Sequence, residues 1–168
     1  MQKNLWSSAG MDGLLLALVY VVITLVTTVL TPGGGLSILI TIGHLVATIW
    51  MLLYFMKRYG ATQEAYPHSR AFGYGFAASL CSNVIIVAYA LLHFNVIFPE
   101  SIAKTMEDVL ASIQQAGSSN TDAFAYMGQH LGLIIPVVLF VMYTIWSLII
   151  SAILASFAKK ETLMFPEE

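Results

Sequence analysis

The 168-residue chain is 58% hydrophobic and only 10% charged, with a formal net charge of −2. A soluble domain carries about 25% charged and about 45–50% apolar residues, so a water-soluble fold of this size would leave much apolar surface uncovered. The composition therefore favours a membrane protein. The slight negative charge and the lack of a basic stripe in the sequence exclude a nucleic-acid partner.

Four apolar segments approach or exceed the ~20 residues that a helix needs to cross a bilayer. The predicted spans are residues 13–30, 36–56, about 71–95 and about 131–158, and none contains Asp, Glu, Lys or Arg. The first segment lacks an A-x-A-like cleavage site and is too long for a signal core, so it is predicted to be a retained helix. The expected fold is all-α, an integral membrane four-helix bundle forming a single transmembrane domain over residues 1–168.

The basic residues predict the orientation of this bundle. Cytoplasmic loops collect Lys and Arg, so both termini and the loop at 57–70 are predicted to be cytoplasmic. The turn TPGGG at 31–35 and the segment 96–130, which contains Lys104, are then external. Six of the seven basic residues lie on the predicted cytoplasmic side, and they are Lys3, Lys57, Arg58, Arg70, Lys159 and Lys160.

Aromatic side chains near the cytoplasmic ends of the spans are predicted to lie at headgroup depth, where amphipathic rings accumulate. Trp50 and Trp146 lie deeper in their spans and are predicted to pack against other side chains of the protein. The aromatic residues assigned to the inner interface are Trp6, Tyr54, Tyr59, Tyr66 and Tyr74.

The external segment contains a predicted amphipathic helix at about 101–116, with Pro99 just before it and Ser101 as a candidate cap. Its apolar side chains fall on one side of a helical wheel, and its charged and amide side chains fall opposite. The helix either folds over the outer mouth of its own bundle, or docks a partner protein, or caps a cavity. The candidate docking face consists of Ile102, Met106, Val109, Leu110 and Ile113.

Uncharged polar side chains occur at similar depth in all four spans. His44 lies about 12 Å below the outer edge of a hydrocarbon core about 30 Å thick, and Asn83 lies about 20 Å above the inner edge. Polar groups in lipid bond across helices, so this layer is either structural glue or a polar site. The candidate intramembrane layer consists of Thr24, His44, Asn83, Thr144 and Ser147.

No acidic residue lies at mid-membrane depth, which argues against proton pumping. Asp12 is the nearest acid and is predicted to lie at the inner interface, where it either starts the first helix or pairs with Arg70 or Lys159. His93 and His130 lie at the external ends of the last two spans, but their spacing fits no metal motif. No metal site and no cofactor are therefore predicted.

Small residues and a proline are predicted to determine how the last two spans pack. The ring of Pro136 conflicts with the carbonyl group of Gly132, so a kink is expected there. Gly75 and Ser79 on the third span, and Ser151 on the fourth, allow helix backbones to approach closely. The third and fourth helices are therefore predicted to pack through these positions, mainly in the inner half of the membrane.

Two stretches carry a resemblance to a known family: RAFGYGFAASL at 70–80 and SLIISAILASFAKKE at 147–161. With the acidic amphipathic segment before the last span, they resemble an uncharacterised family of small four-helix inner-membrane proteins of Gram-negative bacteria, described only as a domain of unknown function. The resemblance covers essentially the whole chain. It implies an inner-membrane location with a periplasmic external side, and it implies no catalytic residues.

These features predict a non-enzymatic accessory or assembly subunit of a membrane complex, with the bilayer and other membrane proteins, or a second copy, as partners. The alternative is a homo-oligomeric channel or small transporter for a lipid or neutral solute, built around His44 and Asn83. A membrane enzyme would need clustered Asp, His or Arg near an interface. The only such group is Glu64, His68 and Arg70, which a cytoplasmic loop explains equally well.

Overall fold

The computed structural model of the protein describes residues 4–31, 33–100 and 121–159. All regular elements within these ranges are helices, and a five-residue π-helix directly continues the third one. The elements are α1 (Leu5–Leu30), α2 (Gly34–Gly60), α3 (His68–Leu92), the π-helix (His93–Ile97) and α4 (Thr121–Ala158). The all-helical prediction is confirmed for these residues.

Four helices are long and apolar enough to cross a membrane: Leu5–Leu30, Gly34–Gly60, His68–Ile97 and Gly132–Ala158. Their most apolar windows have mean hydropathies between 1.9 and 2.6. The predicted spans at 13–30, 36–56 and 71–95 lie within the first three of these segments, which run several residues further, and the predicted fourth span at 131–158 agrees with the last segment to within one residue. The added residues are more polar, because backbone hydrogen bonding continues a helix past the point where its side chains cease to be apolar.

Local capping explains the ends of the first two helices. The Asn4 side chain accepts the backbone N–H of Trp6 at 3.1 Å and so caps α1. Thr31 adopts a left-handed conformation with φ 40°, and its N–H donates to the Thr27 carbonyl at 3.1 Å, which ends α1. Gly33 then caps α2. The connection is so short that α1 and α2 form a contacting antiparallel hairpin.

The described chain divides into two compact units. The first combines the residues up to Ile86 with those from Tyr143 onward, and the second runs from Val87 to Met142. The helices α3 and α4 each contribute residues to both units. The prediction of a single transmembrane domain over residues 1–168 stays a prediction.

In the first unit, α3 is the central helix. In the most apolar stretch of the third span, 44% of the residues are buried inside the protein. The corresponding share is 17% for α1 and 6% each for α2 and α4. The core combines large aromatic side chains with small residues on α3 and α4, because small residues let neighbouring helices approach a central one. Core residues include Leu16, Phe55, Met56, Tyr59, Tyr66, Ala71, Tyr74, Ala78, Leu154 and Ala155.

Glycines mark the two closest helix approaches of this unit. A Cβ atom at Gly13 would lie 2.5 Å from the Ala78 carbonyl oxygen and 2.8 Å from Cβ of Cys81, so α1 and α3 touch through their backbones. A Cβ at Gly75 would lie 2.9 Å from Sδ of Met56 and 3.3 Å from Oγ of Ser151. The position of Gly75 therefore accommodates side chains of both α2 and α4.

The structure shows which of the aromatic side chains are buried and which are exposed. Trp50 and Trp146 are 65% and 55% exposed, so the prediction that they pack inside the protein is wrong. Tyr59, Tyr66 and Tyr74 are buried in the core of the first unit, whereas Trp6 and Tyr54 are exposed. The depth of these five residues at the inner interface stays a prediction. Sequence position predicts the depth of a residue along a helix, but it does not predict the side of an all-apolar helix on which that residue lies.

The Gly13 contact generates a first testable prediction. Gly13→Ala should lower the free energy of unfolding by about 1–3 kcal/mol, because the added methyl group overpacks the α1–α3 contact. Reversible unfolding in mixed micelles, followed by circular dichroism, measures the change.

Gly10→Ala is the matched control on the same helix, since a Cβ at Gly10 meets nothing within 4 Å. It should stabilise α1 by up to about 1 kcal/mol, because alanine restricts the unfolded backbone more than glycine does. Equal effects of the two substitutions would contradict the close approach of α1 and α3.

Candidate functional site

A buried carboxylate joins three helices at one end of the first unit. Asp12 of α1 is only 1% exposed. Its Oδ1 atom accepts a hydrogen bond from Nη2 of Arg58 near the end of α2, and its Oδ2 atom accepts one from the hydroxyl group of Tyr74 on α3. The predicted pairing of Asp12 with Arg70 or Lys159 is therefore wrong. Asp12 does not start α1 either, because that helix begins at Leu5.

Both oxygens of the Asp12 carboxylate are occupied by donors. Removing a carboxylate from water costs several kcal/mol, and the cost is offset only when an opposite charge and additional hydrogen bonds satisfy it. The Arg58 side chain, 48% exposed, retains part of its hydration. Its guanidinium carbon also lies 5.1 Å from the ring centroid of Phe55 and 5.9 Å from that of Tyr54. The cluster is thus built to fix the register of three helices.

Three tyrosine rings extend this cluster toward the loop between α2 and α3. The rings of Tyr59 and Tyr74 stack with centroids 4.1 Å apart and planes at 6°, and Tyr66 meets Tyr59 edge-on at 5.9 Å. A Cβ at Gly60 would lie 2.5 Å from Cδ1 of Tyr66, so the loop ring occupies the space that a side chain would need. The loop therefore closes this end of the unit with an aromatic plug.

The Tyr66 hydroxyl is fully buried and has no hydrogen-bond partner among the described residues. Burial, together with the nearby Tyr59, raises the pKa of Tyr66 far above its ordinary value. The group therefore stays protonated and neutral at physiological pH. Burying a neutral hydroxyl without a hydrogen bond costs far less free energy than burying an unpaired charge.

Two members of the predicted polar layer meet directly. Nδ2 of Asn83 on α3 donates to Oγ of Ser147 on α4 at 3.1 Å, and both side chains are buried. Ser79 and Ser151 are also buried on the same two helices. Polar and small side chains therefore lie between α3 and α4. This is the composition expected where polar groups hydrogen-bond between two membrane helices.

His44 belongs to a different contact. Its ring centroid lies 5.6 Å from that of Tyr20 on α1, and the Tyr143 hydroxyl on α4 donates to the Tyr20 hydroxyl at 3.4 Å. Tyr20 and His44 both lie ten residues from the ends joined by the α1–α2 turn, about 15 Å along each helix. A mid-depth cluster of His44, Tyr20 and Tyr143 thus links α1, α2 and α4. Neither tyrosine was predicted as a site residue.

The backbone of Thr24, a member of the predicted layer, takes part in hydrogen bonds within α1. The carbonyl group of Thr24 accepts the hydroxyl groups of Thr27 at 3.0 Å and Thr28 at 2.8 Å, so these side chains bond their own helix. Thr144 is half-buried on α4. The predicted layer therefore contains an Asn83–Ser147 contact and a separate His44 contact.

The second unit contains an amide that compensates for a proline. The helix α4 continues through Pro136, which has no N–H to offer the carbonyl group of Gly132. Nδ2 of Asn95, in the π-helix, donates to that carbonyl at 3.1 Å and to the Leu91 carbonyl at 2.9 Å. Gly132 has no side chain to obstruct Asn95, whose Cγ would lie 3.2 Å from an added Cβ. Asn95 thus supplies the bond that Pro136 removes.

The histidine at the start of the π-helix is buried in an aromatic setting. Nδ1 of His93 lies 2.9 Å from the Tyr89 hydroxyl, and its ring contacts Phe94 and Phe98. Within the part of the chain that the structure describes, no three His, Cys, Asp or Glu side chains form a group that could hold a metal ion. The predicted external docking face lies outside the described residues; it comprises Ile102, Met106, Val109, Leu110 and Ile113.

Comparison with known proteins places this geometry in a family. A family model described as "Protein of unknown function (DUF4199)" matches residues 12–160, most of the chain. The chain belongs to the DUF4199 family. The resemblance to a domain of unknown function is thereby confirmed, and the matched region includes every contact of the Asp12 cluster in this DUF4199 protein. Searches of curated proteins and of solved structures found no match.

The buried ion pair generates a second prediction. Arg58→Gln should lower the free energy of unfolding by about 3 kcal/mol, because it leaves the Asp12 carboxylate buried without its counter-charge. The double variant Asp12→Asn/Arg58→Gln removes both charges and should recover most of that loss. Unfolding of the three proteins in the same neutral mixed micelles measures both effects.

Lys57→Gln is the matched control, because it removes the same charge from the adjacent, exposed position on α2. Its unfolding free energy should stay within about 0.5 kcal/mol of the wild-type value. A double variant no more stable than Arg58→Gln alone would show that the Asp12 charge is not the cause.

Proposed function

We propose that this DUF4199 protein is a four-span integral protein of the inner membrane of a Gram-negative bacterium, where it acts as a non-enzymatic accessory or assembly subunit of a membrane complex. The observation that carries the proposal is the state of Asp12. The most polar group buried in the first unit already has both its oxygens bonded, to Arg58 and Tyr74. Such a carboxylate serves a structural role, since each of its oxygens already accepts a bond from another helix of the same unit.

The exposed surface supports insertion in a bilayer. Large aliphatic side chains of α1, α2 and α4 are exposed in long stripes, for example Leu18, Val22 and Val26 along α1. A water-soluble monomer rarely exposes contiguous apolar patches of more than a few hundred Å². A bilayer covers such faces, and it also suits a chain whose backbone polar groups are satisfied within helices.

The charges support an orientation with both termini in the cytoplasm. Lys57 and Arg70 are exposed at the α2–α3 end of the first unit, and Lys159 follows α4 at the same end. The opposite end of the α1–α2 hairpin, at 31–35, carries no charged residue. Because translocation disfavours Lys and Arg, the basic end belongs in the cytoplasm. The external side is then the periplasm.

A second candidate function follows from the mid-depth cluster. His44, Tyr20 and Tyr143 bring three polar rings together about halfway along their helices. A homo-oligomeric channel or small transporter for a lipid or neutral solute could use such a cluster, since polar side chains within a membrane often mark a pathway. Asn83 is bonded to Ser147 instead, which leaves the pathway role to His44.

The proposed orientation yields a third prediction. In a Cys81→Ser background, which removes the single native cysteine, Glu64→Cys should react with a membrane-impermeant maleimide only after the membrane is opened. Gly33→Cys should react in intact spheroplasts. Both positions are exposed. The reverse pattern, or labelling of both from one side, would overturn the proposed orientation.

The subunit role yields a fourth prediction. Native mass spectrometry of the protein, extracted with its surrounding lipid from its own membranes, should show a hetero-complex of fixed stoichiometry. A symmetric homo-oligomer would favour the channel alternative, provided that His44→Leu abolishes solute flux in reconstituted vesicles. Thr41→Val is the control for that substitution, because Thr41 is exposed on α2 and its hydroxyl bonds only the Ser37 carbonyl. Isolated single copies would contradict both functions.

A further inference from the structure

An unbroken row of exposed side chains at four-residue spacing winds obliquely along the surface of α2. The row, here named the α2 ridge, consists of Ile42, Val46, Trp50, Tyr54 and Arg58. Exposure along it runs from 48% for the Arg58 side chain to 65% for Trp50. Residues four apart are neighbours on a helix surface, so the five side chains form one continuous strip about 24 Å long.

The chemistry of the α2 ridge changes in order along its length. Ile42 and Val46 are aliphatic. Trp50 and Tyr54 stack with ring centroids 5.9 Å apart and planes at 17°. The Arg58 guanidinium lies 5.9 Å from the Tyr54 ring and ends the row. The sequence of aliphatic, aromatic and cationic groups matches the acyl chain, interfacial region and phosphate of a phospholipid.

Asp12 holds the guanidinium of Arg58 in place without using all of its donors. A guanidinium group has five N–H donors in a fixed plane, and Nη2 serves Oδ1 of Asp12. Nearly half of the Arg58 side chain is exposed, so donors remain for a second acceptor. Because its conformation is already fixed, Arg58 would lose little further side-chain entropy on binding an anion.

The positive charge at this end of the ridge comes mainly from Lys57. Asp12 balances the charge of Arg58, whereas the adjacent Lys57 is exposed on the same helical turn. Among the described carboxylates of the first unit, Asp12 is buried and Glu64 lies beyond the end of α2 in the following loop. A phosphate near Arg58 would therefore accept hydrogen bonds from the Arg58 guanidinium and be attracted by the uncompensated positive charge of Lys57.

We propose that the α2 ridge binds one anionic phospholipid of the inner leaflet. The phosphate accepts hydrogen bonds from Arg58 and is attracted by Lys57. The interfacial part of the lipid lies against Trp50 and Tyr54, and an acyl chain follows Val46 and Ile42. The site rests on the proposed membrane insertion, and its place in the inner leaflet rests on the proposed orientation; it does not depend on the subunit role.

Trp50 itself reports on this site. The chain has three tryptophans, so Trp6→Phe/Trp146→Phe leaves Trp50 as the sole tryptophan. The protein is reconstituted in mixed vesicles of phosphatidylglycerol and phosphatidylcholine, in which only one of the two lipids has brominated acyl chains. Bromine quenches tryptophan fluorescence on contact, so comparing the two vesicle types gives the preference of the Trp50 surface for either lipid.

The expected result is stronger quenching of Trp50 by the brominated phosphatidylglycerol. Lys57→Gln should reduce the preference about fivefold, the effect of one basic residue near an anionic surface. Asp12→Asn/Arg58→Gln, which keeps the cluster uncharged, should reduce it as well, because the guanidinium donors are lost.

Arg70→Gln is the matched control: it removes one exposed cation from the same end of the unit, on α3 and away from the ridge. It should leave the preference unchanged. Equal quenching by both lipids would contradict the proposed site. An equal loss of lipid preference in Arg70→Gln and Lys57→Gln would also contradict it, because it would indicate general attraction of anionic lipid to the basic surface. Quenching by neither lipid would instead refute membrane insertion, so the two failures are distinguishable.

Discussion

The structure of the first unit depends on how a single carboxylate is kept away from water. Asp12 is almost fully buried, and in such surroundings an unpaired charge would cost more free energy than a typical domain has to spare. Arg58 and Tyr74 prevent that cost by bonding one oxygen each. Because the three residues lie on three different helices, the requirement to pair the charge also fixes the register of α1, α2 and α3. The stacked ring of Tyr59 and the plug formed by Tyr66 then close the same end of the unit.

The same logic applies at two further polar contacts among the apolar helices of the first unit. The Asn83 amide faces the Ser147 hydroxyl, and the Tyr20 hydroxyl faces that of Tyr143. Within apolar surroundings each such bond is modest in net free energy, because the separated helices also find partners. Their shared effect is directional: each contact allows only one rotation of a helix about its axis. Apolar surfaces alone do not determine the rotation of a helix about its axis, since any face of an all-apolar helix packs against lipid equally well.

This distinction explains which features could be predicted from the sequence. Hydropathy and length predicted four long helices, because these properties depend only on composition along the chain. The choice of Arg58 over Arg70 or Lys159 as the partner of Asp12 depends on how the helices are rotated, and nearly uniform apolarity encodes little about rotation. For the same reason Trp50 was assigned to the interior, and Gly13, Tyr20 and Tyr143 were not recognised. One signal was available for the ion pair: a lone acid beside an apolar span needs a cation from a neighbouring helix end.

The bond between Asn95 and the Gly132 carbonyl limits which substitutions this part of the chain tolerates. Pro136 creates a carbonyl group without a helical donor, and Asn95 satisfies it from another segment of the chain. Replacing the proline alone would supply a helical N–H that competes with the Asn95 amide for the Gly132 carbonyl, whereas losing Asn95 alone would leave that carbonyl without the amide donor. Gly132 must also stay small to admit the amide. The three positions therefore constrain one another, since a change at any one of them alters the demand on the other two.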